Sequence, residues 1–168
     1  MEIIDLYDNN GNKLDKTYVR GDKYHKFNKN EHIPIVMLFI ENSKGEFLMQ
    51  KTSKIKGSVF GVTGGHIDKD EYRDDALIRE VKEEIGYDID LNEVKYLGHI
   101  LTGVPIRFIY YLKKDIDISK CNLNKEEVES IRYMEVNEIL NFIEEDLFIE
   151  SHGICFNKIL EFKKKNII

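Results

Sequence analysis

The sequence predicts an α/β fold in which a mixed β-sheet carries helices on both sides. Short β-branched and aromatic runs alternate with helix-forming runs along the chain. Two clusters, Asn9-Asn10-Gly11 and Ser43-Lys44-Gly45, sit between apolar runs where hairpins turn. A stretch free of Gly and Pro, residues 70–85, has helical periodicity and stops at Gly86.

Taken in order, strands are expected at Ile3–Tyr7 and Thr17–Arg20, forming an N-terminal hairpin. Pro34–Glu41 and Glu46–Lys51 read as a second strand pair, followed by a strand at Val59–Val62. The helix at Tyr72–Ile85 is rich in Ala, Leu, Ile, Arg, Glu and Lys, all compatible with helix. Asp68, Asp70 and Glu71 crowd its start, where the helix dipole is positive, and Gly86 suits its C-terminal cap. Strands follow at Val94–Leu101, Ile106–Leu112 and Ile131–Glu135, with helices at Val136–Phe142 and roughly Ile154–Lys164.

At 168 residues the chain is long enough for one domain with a substantial core, and residues 1–168 are read as a single domain. Charged residues make up 33% and apolar residues 42%, without a low-complexity tract, which argues against disorder. A formal charge of −6 argues against a nucleic-acid polymer as partner. A small anionic ligand remains compatible, because a bound dication inverts the local sign. Cys121 and Cys155 lack any pairing or CxxC context and read as reduced thiols. Met1-Glu2 opens without a leader-like apolar segment, and the longest apolar run, Ile35–Ile40, is too short to span a membrane. The expectation is a cytoplasmic protein with no membrane partner.

On a helix turning about 100° per residue, Glu80, Glu83 and Glu84 share one face, with Ala76 a turn earlier. Leu77, Ile78, Val81 and Ile85 form the neighbouring apolar face. Three carboxylates within one turn repel one another unless positive charge sits between them. Hard oxygen donors of this kind suit Mg²⁺, whose shell substrate phosphates can complete. Arg79 lies eight residues after Glu71, placed to tie the preceding loop to the helix. Three glutamates alone also fit a solvated acidic face.

The whole pattern resembles the Nudix hydrolase signature, G-x5-E-x7-R-E-U-x-E-E-x-G-U, with U a bulky aliphatic residue. It is met at Gly65, Glu71, Arg79, Glu80, Val81, Glu83, Glu84 and Gly86; Tyr87 stands at the last aliphatic position, where Ile89 can supply the packing. Asp5-Leu6-Tyr7-Asp8, Asn10-Gly11 and Arg20-Gly21, with Ile33 to Lys51, are similar to a Nudix subgroup related to isopentenyl diphosphate isomerase. The resemblance implies a Nudix α/β/α sandwich with the signature at 65–87. It also implies an Mg²⁺-dependent pyrophosphohydrolase, with Mn²⁺ as a substitute, in which water attacks phosphorus in a nucleoside diphosphate linked to another group. Metal ligands would be Glu80, Glu83, Glu84 and the Gly64 carbonyl. Glu71 would pair with Arg79 or reach a metal through water, and the water-activating base is placed at Glu127, with Glu129 second; the charge run 125–133 otherwise reads as solvated. Gly64, Gly65, His66, Phe60, Arg107, Tyr110 and the Lys51–Lys56 loop are the candidate substrate contacts, although Phe108 and Tyr110 also fit core positions. Many family members are homodimers, so a homodimer is carried as an expectation.

Two alternatives follow. His25, His32 and His66 resemble the metal histidines of the isomerase, which however needs a cysteine where Gly64 stands and acids along Thr102–Arg107. A catalytically silent nucleotide sensor usually lacks one of the carboxylates, and all are present in this chain.

Overall fold

The computed structural model describes residues 1–168. Nine strands run as β1 Ile3–Tyr7, β2 Lys13–Val19, β3 Ile33–Glu41, β4 Phe47–Thr52, β5 Phe60–Gly61, β6 Gly64–His66, β7 Val94–Leu101, β8 Pro105–Lys113 and β9 Val128–Met134. Three helices, α1 Arg73–Ile85, α2 Val136–Glu144 and α3 Glu150–Lys164, complete the chain. Strands β1 and β2 form a separate antiparallel hairpin. The main sheet has the order β5-β4-β3-β8-β7, with β6 also paired to β3 and β9 to β4. Only β3 and β8 pair in parallel, from Ile33 opposite Pro105 to Glu41 opposite Lys113; the sheet is therefore mixed.

Strand alternation divides the core between two faces. From β3, Val36, Leu38 and Ile40 pack with Leu77, Val81 and Ile85 of α1. Met37 and Phe39 point the other way, toward Ile139 of α2 and Phe156 and Ile159 of α3. Strand β8 splits alike: Ile106, Phe108 and Tyr110 join the α1 side, Ile109 and Tyr111 the α3 side. Arg107 has the parity of the α3 side, which decides its role below. This is the α/β/α arrangement that the resemblance implied and that the alternating pattern fits.

Several elements differ from the sequence-based expectation; β5 is shorter, at Phe60–Gly61, and β9 starts three residues early, at Val128, because Thr52 of β4 pairs with it there. Strand β2 begins at Lys13, four residues before Thr17, because it continues the hairpin ladder to Tyr7. Strand β6 was not foreseen, since glycine has little intrinsic strand preference. It exists because Met37, Val36 and Ile35 pair with Gly64, Gly65 and His66. A Cβ on Gly64 would stand 2.1 Å from the Val36 carbonyl oxygen, so only glycine permits that approach. Helix α1 starts at Arg73, and its first-turn acids are Asp74 and Asp75 rather than Asp68, Asp70 and Glu71. Helix α3 starts at Glu150, before Ile154, carrying Gly153 inside it; that glycine packs against Ile143 of α2.

One buried ionic cluster anchors the far end of α3. Glu41 is 1% exposed, accepts a 2.6 Å hydrogen bond from the Tyr111 hydroxyl and pairs with Lys163. Removing one partner strands the other as a buried charge. Lys163→Met is expected to cost about 2–3 kcal/mol in urea unfolding. Adding Glu41→Gln to that variant should recover part of the loss.

Candidate active site

The sheet edge at β6, the C-terminal half of α1 and the first turn of α3 enclose a cavity of about 510 Å³. The N-terminal hairpin contributes Glu2 and Arg20 to its wall, and two loops contribute Lys56 and Glu127. Phe60 positions α3: its carbonyl accepts from Ile149 N–H at 2.8 Å and its own N–H donates to Leu147 at 2.9 Å. The first turn of α3 is thereby fixed against β5 at the cavity mouth.

Glu84 is the most deeply set acid of the site. It is 7% exposed, and its Oε2 accepts from Gln50 Nε2 at 2.9 Å, Thr63 Oγ1 at 2.8 Å and the Gly64 N–H at 3.2 Å. Burial raises its pKa to about 7, although those donors pull the other way. Its Oε1 takes no hydrogen bond from the protein, and Glu84 lines the cavity. Glu80 lies against Gly65, where a Cβ would stand 2.3 Å from its carboxyl carbon. Glu83 is the exposed member, at 58%.

Arg79 stands between these acids. Its Nε and Nη2 grip Glu71 at 2.8 Å each, Nη1 donates to Glu80 at 2.8 Å and Glu83 at 3.3 Å, and Nη2 also reaches the His66 carbonyl at 2.9 Å. The two main partners respond oppositely. Burial opposes ionisation of Glu71, but the two-point contact with Arg79 and the Asp68 N–H overcome it and lower its pKa. Glu80 is more deeply buried and has a single bond to Arg79, so burial wins and its pKa rises.

Of the residues expected at the site, the structure brings Glu80, Glu83, Glu84, Arg79, Gly64, Gly65, His66, Arg107 and Glu127 to one cavity. Glu71 sits behind Arg79. Glu127 is held by Lys56 at 2.9 Å, whereas Glu129 pairs with Lys51 at 3.5 Å outside the cavity. Lys51 is thus not brought to it, and Lys56 of the same loop is. Phe60 is also outside: its ring packs on Phe142 at 5.0 Å and under Arg132 at 5.3 Å. Tyr110 is buried and donates to Asp74 at 2.8 Å, and Phe108 is core on the same face. His25 packs edge-on against Tyr18 and tilted against Phe27, and His32 bonds Val104 and Asn9; neither reaches the site.

Sequence reasoning missed Gln50 and Thr63, which hold Glu84, and His152, which faces the cavity from α3. His152 Nδ1 accepts the Val62 N–H at 3.1 Å, so the ring is neutral with its proton on Nε2. Burial, followed by the nearby Arg107 charge, lowers its pKa to about 3. A Cβ at Gly61 would stand 2.7 Å from that ring, so the β5 glycine makes room for it. Because the folded state resists protonation, stability from His152 is complete above about pH 6.5 and lost as pH falls toward 3. The expected loss by pH 4 is on the order of 3 kcal/mol. His152→Asn, whose Oδ1 can accept the same N–H, should remove that component from a plot of Tm against pH.

No three acid, His or Cys side chains enclose an ion site on their own, because Glu80 and Glu83 turn to Arg79 and Glu84 to its three donors. The donor chemistry still fits a hard dication: three carboxylates facing a polar cavity, one with a free oxygen, beside a glycine backbone without Cβ cover.

Known proteins resemble the chain in sequence and in fold. The model of the NUDIX domain matches residues 31–151. The chain is 33% identical over 140 residues to an uncharacterized Nudix hydrolase of Listeria innocua, covering 80% of each. It is 32% identical over 145 residues to another from Listeria monocytogenes, covering 83% of each. Its fold is similar to the crystal structure of the Deinococcus radiodurans protein DR0079, with TM-score 0.77 and 18% identity over 94% of this chain and 98% of that one. With the domain match spanning most of the chain and the acid helix set against the glycine strand, the chain belongs to the Nudix hydrolase family.

Proposed function

We propose that this protein hydrolyses the diphosphate bond of a nucleoside diphosphate linked to another group, using Mg²⁺ held by Glu80, Glu83 and Glu84 with the Gly64 carbonyl. The observation that carries it is Glu84: a buried carboxylate with one oxygen locked by three donors and the other left to the cavity. Such a group is oriented for a ligand, since nothing in the protein satisfies that second oxygen. Bound Mg²⁺ or Mn²⁺ would polarise the phosphates and offset charge that develops as the bond to phosphorus forms. Arg79 spaces the acids and neutralises part of their repulsion. Glu127, held by Lys56 at the cavity wall, would take the proton of the attacking water. His66, whose pKa burial and then Arg20 lower to about 4, stays neutral near pH 7 and so can donate or accept a hydrogen bond to substrate without adding charge.

Isomerase chemistry gains nothing from the structure. The stretch 102–107 supplies Arg107 and Thr102 rather than acids, and Gly64 stands where a cysteine is required. A phosphate-release screen over a nucleotide panel with Mg²⁺ or Mn²⁺ tests the proposal, with Glu84→Gln as blank. Turnover of one substrate class by the wild type alone is expected. A wild type inert across the panel that still binds nucleotide would instead mark a sensor.

A further inference from the structure

Four cations line the cavity, and three have carboxylate partners: Arg20 with Glu2 at 2.8 Å, Lys56 with Glu127 at 2.9 Å, and Arg79 with its acids. Arg107 has none. It is also the most buried of the four, at 8% exposed, and only its Nε is engaged by oxygen, at 2.9 Å from Thr102 Oγ1. Its Nη1 has the Met37 sulfur at 3.8 Å, a weak acceptor. A buried guanidinium without an anion is costly, and burial lowers its pKa accordingly.

The α3 side of the cavity adds further donors beside it. Ser151 and His152 line the cavity, and the ring proton of His152 is on Nε2, because Nδ1 accepts from Val62. The first-turn amides of α3 have no protein acceptor, and Ile149 offers no side-chain cap. Guanidinium, imidazole N–H, hydroxyl and helix N-terminus can all donate, line one cavity and favour the same guest, an oxyanion. No carboxylate is hydrogen-bonded to any of them.

We propose that this α3 side of the cavity is a second anion subsite, in which Arg107 with His152 and Ser151 binds a phosphate group of the substrate separate from the diphosphate presented to Glu80, Glu83 and Glu84. The substrate class is then a nucleotide derivative bearing a phosphate monoester away from the bond that is cleaved. The subsite presupposes the nucleotide substrate proposed above, but phosphate binding without metal tests it independently of catalysis.

The experiment is a thermal-shift titration with inorganic phosphate in EDTA, at constant ionic strength set with chloride. Wild type should gain Tm saturably, Arg107→Gln should lose that gain, and Arg107→Lys should keep part of it. The gain, not the starting Tm, is the quantity read. Ser151→Glu introduces an acid at a helix start, where it is tolerated, and should also abolish the gain by repulsion. Absence of a gain in wild type, or an equal gain in Arg107→Gln and Ser151→Glu, overturns the subsite. Once a substrate is known, Arg107→Gln should raise KM roughly tenfold to a hundredfold for the form with the extra phosphate. The rise in KM for the form without that phosphate should be several-fold smaller. Equal losses on both forms would assign Arg107 to the diphosphate itself and overturn the proposal.

Discussion

Glu84→Gln is expected to lower kcat of diphosphate hydrolysis by roughly 10²–10⁴-fold while leaving the fold intact. The amide oxygen can still accept from Gln50, Thr63 and the Gly64 N–H, so the buried hydrogen bonds survive. What disappears is the anionic oxygen facing the cavity. A second readout separates this from damage to the fold. Glu84 in the folded protein titrates at about 7, above its ordinary value of 4.5, chiefly through burial. The folded state therefore favours the protonated form, and the associated stability is present below about pH 4.5 and lost as pH rises through 7. In metal-free buffer the variant should be more stable than wild type by on the order of 2–3 kcal/mol at pH 8, with the gap closing toward pH 4.5. A fully active variant, or one that unfolds at every pH, would contradict this.

Arg79→Met should have the second largest effect, on stability and activity together. The guanidinium is 27% exposed and serves Glu71, Glu80, Glu83 and the His66 carbonyl at once. Without it, those acids face one another with no cation between them. Unfolding in EDTA should become easier by about 2–4 kcal/mol, discounted from a fully buried pair for partial exposure. Divalent ions should then stabilise the variant more than the wild type, because they would replace the missing positive charge. Equal Mg²⁺ stabilisation of both proteins would show that the acids do not share a cation-binding role.

The helix of the signature was legible because its cues are local. Periodicity and Gly86 set the face and the end, and Gly86 takes the left-handed conformation at φ 67°. The pairing of Glu71 with Arg79 followed from eight-residue spacing on the same logic. Ile78, placed on the apolar face by the helical wheel, is only half-buried, and Ala76 is fully buried in its stead because the small side chain lets α1 lie close to the sheet. Non-local pairing hid the rest. Gly64 and Gly65 form a strand only because β3 runs beside them. Phe60 was open to a substrate role in the sequence, but Phe142 and Arg132, more than 70 residues away, occupy its ring. Likewise the start of β9 at Val128 separates Glu127 from Glu129 and sends the second toward Lys51. His152 was invisible because a helix carrying Gly153 near its start offers no local sign that it begins at Glu150.

The central claim is that Glu80, Glu83 and Glu84 form a dication site at the cavity. The most direct test is titration of Mn²⁺ into the protein, with free ion followed by electron paramagnetic resonance. Saturable binding by wild type is predicted, weakened about 10–100-fold in Glu84→Gln and again in Glu83→Gln. Wild type that leaves all Mn²⁺ free, or variants that bind it as tightly, would contradict the account.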